Sequence, residues 1–241
     1  MIDEFTKYVN SFDRSDLSID RKYYHSLRVS SLCNLLAKHI GFSEKNIKIA
    51  EIVGLLHDYG RFMQWTKYHT YNDFISIDHA DYGVYELFQN NKIEKYWTNK
   101  EDYDEIYDAI KYHNKLKVPE DLSEHNKELC KIIRDADKLD IMYLFASETI
   151  KFPEEGDISP KVKEDFNNKR LVDKKNEVTE ADHAIGILAL IYDINYNYSF
   201  NHLKQYKTYK QIFEKIKDKN KFKPYFDKVN NYIENKIKEM E

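Results

Sequence analysis

The feature that most constrains this chain is a set of apolar stripes at helical spacing, each interrupted by a histidine or an aspartate. His25 is followed on its face by Val29, Leu32 and Leu36, and Ala50, Val53 and Gly54 lead into the adjacent pair His57-Asp58. Gly83 and Leu87 follow His79, Ile106, Ala109 and Ile110 precede His113, and Cys130, Ile133, Ile141 and Leu144 bracket Asp137. Residues three, four or seven apart share one helix face. An imidazole or carboxylate turned into a core is costly unless something pairs with it. A single partner able to serve four such histidines and the carboxylates is a metal centre.

Helical stripes fit the rest of the composition. Six Gly and four Pro are few for 241 residues, so strands and turns should be scarce. At 41% hydrophobic residues the chain can bury a sizeable core. The length allows one large domain or two small ones. The expectation is a single all-α domain over 1–241, with a metal-binding core at 20–145 and an accessory loop and helices at 150–241 packed on it. A net charge of -4 gives no global basic field, which argues against general nucleic-acid binding. Cys33 and Cys130 lie on apolar faces and read as reduced core residues. No apolar run approaches the roughly 20 residues needed to span a bilayer. The N-terminus (MIDEFTKYVN) is acidic and amphipathic rather than a signal peptide. These features predict a cytoplasmic protein with no membrane association.

Helices are expected at about 2–12, 20–40, 43–58, 77–90, 101–114, 125–147, 182–197, 201–216 and 221–239. Gly41 should end the second and Ser43 should cap the third. Gly60 should end the third just beyond His57-Asp58. The aromatic stretch 61–76 reads as an ordered loop with a short helical turn. Residues 151–180, with Pro153, Gly156 and Pro160, read as a long connection holding one helix near 160–168.

Neighbours on a helix point about 100 degrees apart, so His57 and Asp58 reach one ion only near a helix end. An aspartate there can ligate one metal and bridge to a second. His25 and Asp137 come from separate helices and can complete that first site. His79 and His113 are the right type for a second.

His25 with Arg28-Val29, then GLLHDYGR (54–61), IDHADYGVYEL (77–87), AIKYHN (109–114) and RDADKLD (134–140) together resemble the HD-domain superfamily of metal-dependent phosphohydrolases. The resemblance covers about residues 20–145, and its order, H…HD…H…H…D, is that superfamily's binuclear arrangement. It implies an HD-domain-like helical bundle with extra C-terminal helices. His25, His57, Asp58 and Asp137 map onto the core ligands, Asp58 onto the bridging carboxylate, and His79 and His113 onto the ligands of the second metal. The implied cofactor is one or two divalent transition ions per chain, among Mn, Fe, Co, Ni and Zn. The HD-GYP branch, which hydrolyses cyclic di-GMP, would carry a further His after His113 and a GYP element. Here Asn114-Lys115-Leu116 follow, which disfavours that substrate.

The implied function is hydrolysis of a small phosphate ester, a nucleotide among the candidates, by in-line attack of a metal-bound hydroxide, with no separate general base. Arg61 is the first choice for a phosphate ligand or for a salt bridge that fixes Asp58; Lys138 and Lys115 rank below it. The expected catalytic residues are therefore Asp58, Arg61 and Lys138. One rival is a di-iron oxygenase built on the same six ligands. Another is a non-catalytic module that holds a metal and a nucleotide. A homodimer is the default oligomer.

Plainer roles compete at several positions. His79 and His113 can serve as groups around a mononuclear site. Asp135 and Asp140 compete with Asp137, but only Asp137 has apolar residues at -7, -4, +4 and +7. His39 fits a helix C-terminus. His183 reads as structural, and His69, His125 and His202 as surface residues. Asp73 and Asp78 can lie behind the ligands, but helix capping is the simpler role. Phe62, Trp65, Tyr68 and Tyr71 either wall a pocket or pack.

Overall fold

The computed structural model describes residues 1–240, and among them there are helices and no strand. The chain divides into two compact units, residues 1–136 and the remainder from Asp137 onward.

The first unit opens with α1 (Ile2–Val9) and α2 (Leu17–His39). Asp16 caps α2 through Ser18 N, and α2 stops just before Gly41, as expected. Ser43 caps α3 (Glu44–Leu56) by accepting from Asn46 N. α3 packs along α2 at very close range. A Cβ at Gly54 would stand 2.8 Å from Ser30 Cα and from Cys33 Sγ. Next come α4 (Tyr59–Tyr68), α5 (His79–Val84) continued by a π turn at Tyr85–Gln89, and α6 (Tyr103–Tyr112). α7 (Glu124–Ala146) runs from the first unit into the second.

Two expectations fail here. Residues 61–76, expected as an ordered loop with a short helical turn, are loop only from 69 to 76, because Tyr59–Tyr68 forms a ten-residue helix. Its Tyr59 and Phe62, three apart, seat against α1: Tyr59 stacks on Tyr8 at 3.8 Å and Phe62 meets Phe5 edge-on at 5.8 Å. Packing of this kind overrides weak helix propensity. Nor does Gly60 end α3. The helix stops at Leu56, Asp58 breaks the backbone (φ -98, ψ 19), and Gly60 lies inside α4. A Cβ at Gly60 would fall 2.2 Å from the His79 carbonyl oxygen and 3.0 Å from Gly83 N. That glycine lets the α4 and α5 backbones touch.

The second unit contains the end of α7, then α8 (Pro160–Asn167), α9 (Glu180–Ala189), α10 (Asn197–Gln205), α11 (Thr208–Lys215) and α12 (Lys219–Met240). Its core is built from Val162, Phe166, Ile185, Leu188, Phe200, Tyr209, Phe222 and Phe226. The helix expected near 160–168 is present. The helix expected over 182–197 ends earlier: a short 3-10 turn covers Leu190–Asp193, and Ile194 is extended. Asn195 donates to Asp193 O at 2.9 Å, the local side-chain bond with which Asn competes against helix. The helix expected over 201–216 is two, separated at Lys207 in the left-handed region (φ 51).

Candidate metal centre

The break between α3 and α4 is what brings His57 and Asp58 together. His57 ends one helix and Asp58 precedes the next, so adjacent side chains converge and His57 Nε2 lies 3.4 Å from Asp58 Oδ2. The tight α2–α3 packing delivers His25, with Nε2 3.3 Å from His57 Nε2 and 3.4 Å from Asp58 Oδ2. The Gly60 contact delivers His79, with Nε2 3.3 Å from Asp58 Oδ1. α6 delivers His113, with Nε2 3.0 Å from His79 Nε2 and 3.9 Å from Asp58 Oδ1. Asp58 Oδ2 therefore faces one histidine pair and Oδ1 the other. All five residues are buried and form two donor groups, His25/His57/Asp58 and Asp58/His79/His113.

The chemistry of these donors fits a metal. His57 Nδ1 donates to Gly54 O at 2.8 Å and His113 Nδ1 to Ile110 O at 2.6 Å. His79 Nδ1 lies 2.9 Å from Asp73 Oδ2. A carbonyl or carboxylate only accepts, so these partners assign the proton to Nδ1 in each ring and leave a lone pair at Nε2. The His79 and His113 lone pairs thus point at each other, and all three lie against the Asp58 carboxylate, an arrangement that a cation relieves. Two nitrogens each about 2.0–2.1 Å from one ion, at tetrahedral to octahedral angles, stand about 2.9–3.4 Å apart. The observed separations of 3.0 and 3.3 Å match.

The surroundings tune the donors. Burial would raise the Asp58 pKa, but the Lys22 charge and the contacts with the neighbouring histidines outweigh it and hold the carboxyl well below the usual range. Lys22 Nζ is 2.6 Å from Asp58 Oδ2. Burial and the nearby Arg61 guanidinium push His79 down to about 4, against the pull of Asp73, so it is neutral at pH 7. Arg61 is buried and acts as a brace: Nε lies 3.5 Å from Asp58 Oδ1, while Nη1 donates to Gln64, Tyr71 O and Asp73 at 2.6–2.8 Å. Arg134 Nη1 donates to Tyr112 O, His113 O and Lys115 O and so clamps the end of α6.

Asp137 begins the second unit and is half-buried on α7. Lys138, also in that unit, is buried and 2.7 Å from Asp193 Oδ2. Lys115 pairs with Asp78 and Asp81. Asp78 caps α5, the simpler of its two expected roles, whereas Asp73 stands directly behind His79. His183 is exposed and bonded to Glu177, and His39 and His69 are exposed. Phe62 packs, while half-buried Tyr71 lies beside Lys22 and Arg61. Sequence reasoning passed over Lys22. Its signal was its position three residues before His25, on the same face of α2.

No curated protein and no solved structure matches the chain. A family profile described as HD domain matches residues 23–142, a span that takes in His25, His57-Asp58, His79, His113 and Asp137. The all-helical architecture and the clustered histidines and aspartate agree with that match, and through residues 23–142 the chain belongs to the HD-domain family.

Proposed function

We propose that the chain is a metal-dependent phosphohydrolase that cleaves a small phosphate ester, with a nucleotide as the first candidate. The observation that carries this reading is the division of Asp58: one carboxylate oxygen faces His25 and His57, the other faces His79 and His113. His25, His57, His79, His113 and Asp58 would hold two divalent ions, and we propose such a binuclear centre. Divalent ions so held would supply a water of lowered pKa and offset the charge that builds on a phosphoryl group. The chain's own residues do the rest. His57 and His113 are fixed in ring orientation by backbone carbonyls and His79 by Asp73. Arg61 keeps Asp58 and Asp73 in register. Burial of the donors keeps bulk water from competing for their lone pairs.

The test is metal analysis of protein purified without chelator, followed by a phosphate-release assay on a nucleotide panel with added Mn, Fe, Co, Ni or Zn. About two ions per chain, with release abolished by His57→Ala and by Asp58→Ala, is the expected result. Bound iron with oxygen uptake and no phosphate release would instead indicate an oxygenase. Absence of bound metal under every condition would overturn the reading.

A further inference from the structure

Lys22 holds an unusual place, because it is bonded to an oxygen that the proposed metal would need. Its ammonium lies 2.6 Å from Asp58 Oδ2, the oxygen that faces His25 and His57. An ion bound there would face a like charge at contact distance, and that repulsion disfavours both on one oxygen. We propose that Lys22 is a relocating counter-ion: it neutralises Asp58 until metal takes the carboxylate, then turns to bind an anionic oxygen of the substrate's phosphate. This deepens the phosphohydrolase reading and rests on it.

Three observations support the second half of that movement. The donors are closed off, with His25, His57, Asp58 and His79 at most 2% exposed, whereas the Lys22 side chain keeps 21% of its surface in contact with solvent. An anion arriving from solvent therefore meets Lys22 before the buried donors. The other basic groups of the first unit's motif are engaged: Arg61 Nη1 serves three acceptors and Lys115 serves two carboxylates. Finally, Lys22 has a four-carbon stem and the Tyr71 ring 5.5 Å away, so an ammonium released from Asp58 has both reach and a face to rest on.

The experiment compares wild type with Lys22→Met and Lys22→Arg by equilibrium dialysis, first with Mn(II) alone and then with inorganic phosphate on the Mn-loaded proteins. Lys22→Met should bind Mn about threefold or more tightly and phosphate about tenfold or more weakly; Lys22→Arg should recover most of the phosphate binding. If Lys22→Met does not fold, Lys22→Gln carries the same comparison. Any other pattern overturns the proposal: weaker Mn binding would make Lys22 a fixed support for Asp58, and unchanged phosphate binding would remove it from the substrate. A wild type that takes up Mn while the variants behave like it defeats this proposal alone. A wild type that takes up no Mn defeats the metal reading with it.

Discussion

His79 is held from behind. Its Nδ1 meets Asp73, and Asp73 is in turn gripped by Arg61 and Gln64, so the ring that faces Asp58 has little freedom to turn. Groups placed this way set the orientation and basicity of a ligand without touching the ion. Asp73→Ala should lower metal affinity about 10–100-fold while leaving helix content unchanged, measured by competition with a chromophoric chelator. Wild-type affinity in that variant would show that the contact is idle. At this scale the sequence was readable where a polar residue broke an apolar stripe, which is how His25, His57, His79 and His113 stood out. Asp73 and Lys22 break no stripe. Asp73 lies in the loop after α4 and meets His79 only once that loop has folded back, so no spacing announced it.

Among the elements, α9 offers a clean pH test. Its capping box pairs Thr179 with Asp182, and the Asp182 carboxylate also accepts from Ser159 N and Oγ at 2.6 Å and from Val178 N at 3.0 Å. Burial opposes ionisation, yet these donors lower the Asp182 pKa below its ordinary value. A depressed carboxylate stabilises the fold above the unfolded pKa of about 3.9 and loses that contribution as pH falls through the folded value. Asp182→Asn should therefore cost about 1–3 kcal/mol at pH 7, with the gap to wild type closing below about pH 4 in denaturant titrations. A gap independent of pH would assign the effect to packing. Helix existence was legible from apolar period, and the Ser43 and Gly41 boundaries from cap chemistry. The helix at Tyr59–Tyr68 was not, because its aromatic residues show their pattern only against α1. The role of Gly60 was misread for a related reason: a glycine that ends a helix and one that admits a neighbouring backbone look alike in sequence.

Across the whole molecule, the donor groups found among the described residues all belong to the first unit. A ligand that binds only the folded state stabilises it, by about 2.7 kcal/mol at a hundredfold excess over Kd. Hydrogen exchange with and without Mn(II) should thus show slower exchange in α2, α3, α5 and α6 and little change in α10–α12, reversed by EDTA. Uniform protection of the whole chain, or none, would contradict the placement of the site. No helix among the described residues is long and apolar enough to cross a membrane. The four histidine donors are spread from residue 25 to residue 113, each on or at the end of a different helix, and they meet only through folding. Two ions held by the two donor groups through the shared Asp58 would make the helices' separate openings a single event: none of the four could fray inward past its histidine without loosening the carboxylate on which the other group depends. Loading would then alter not only how stable this unit is but how it breathes, replacing four independent local fluctuations with one rare concerted one.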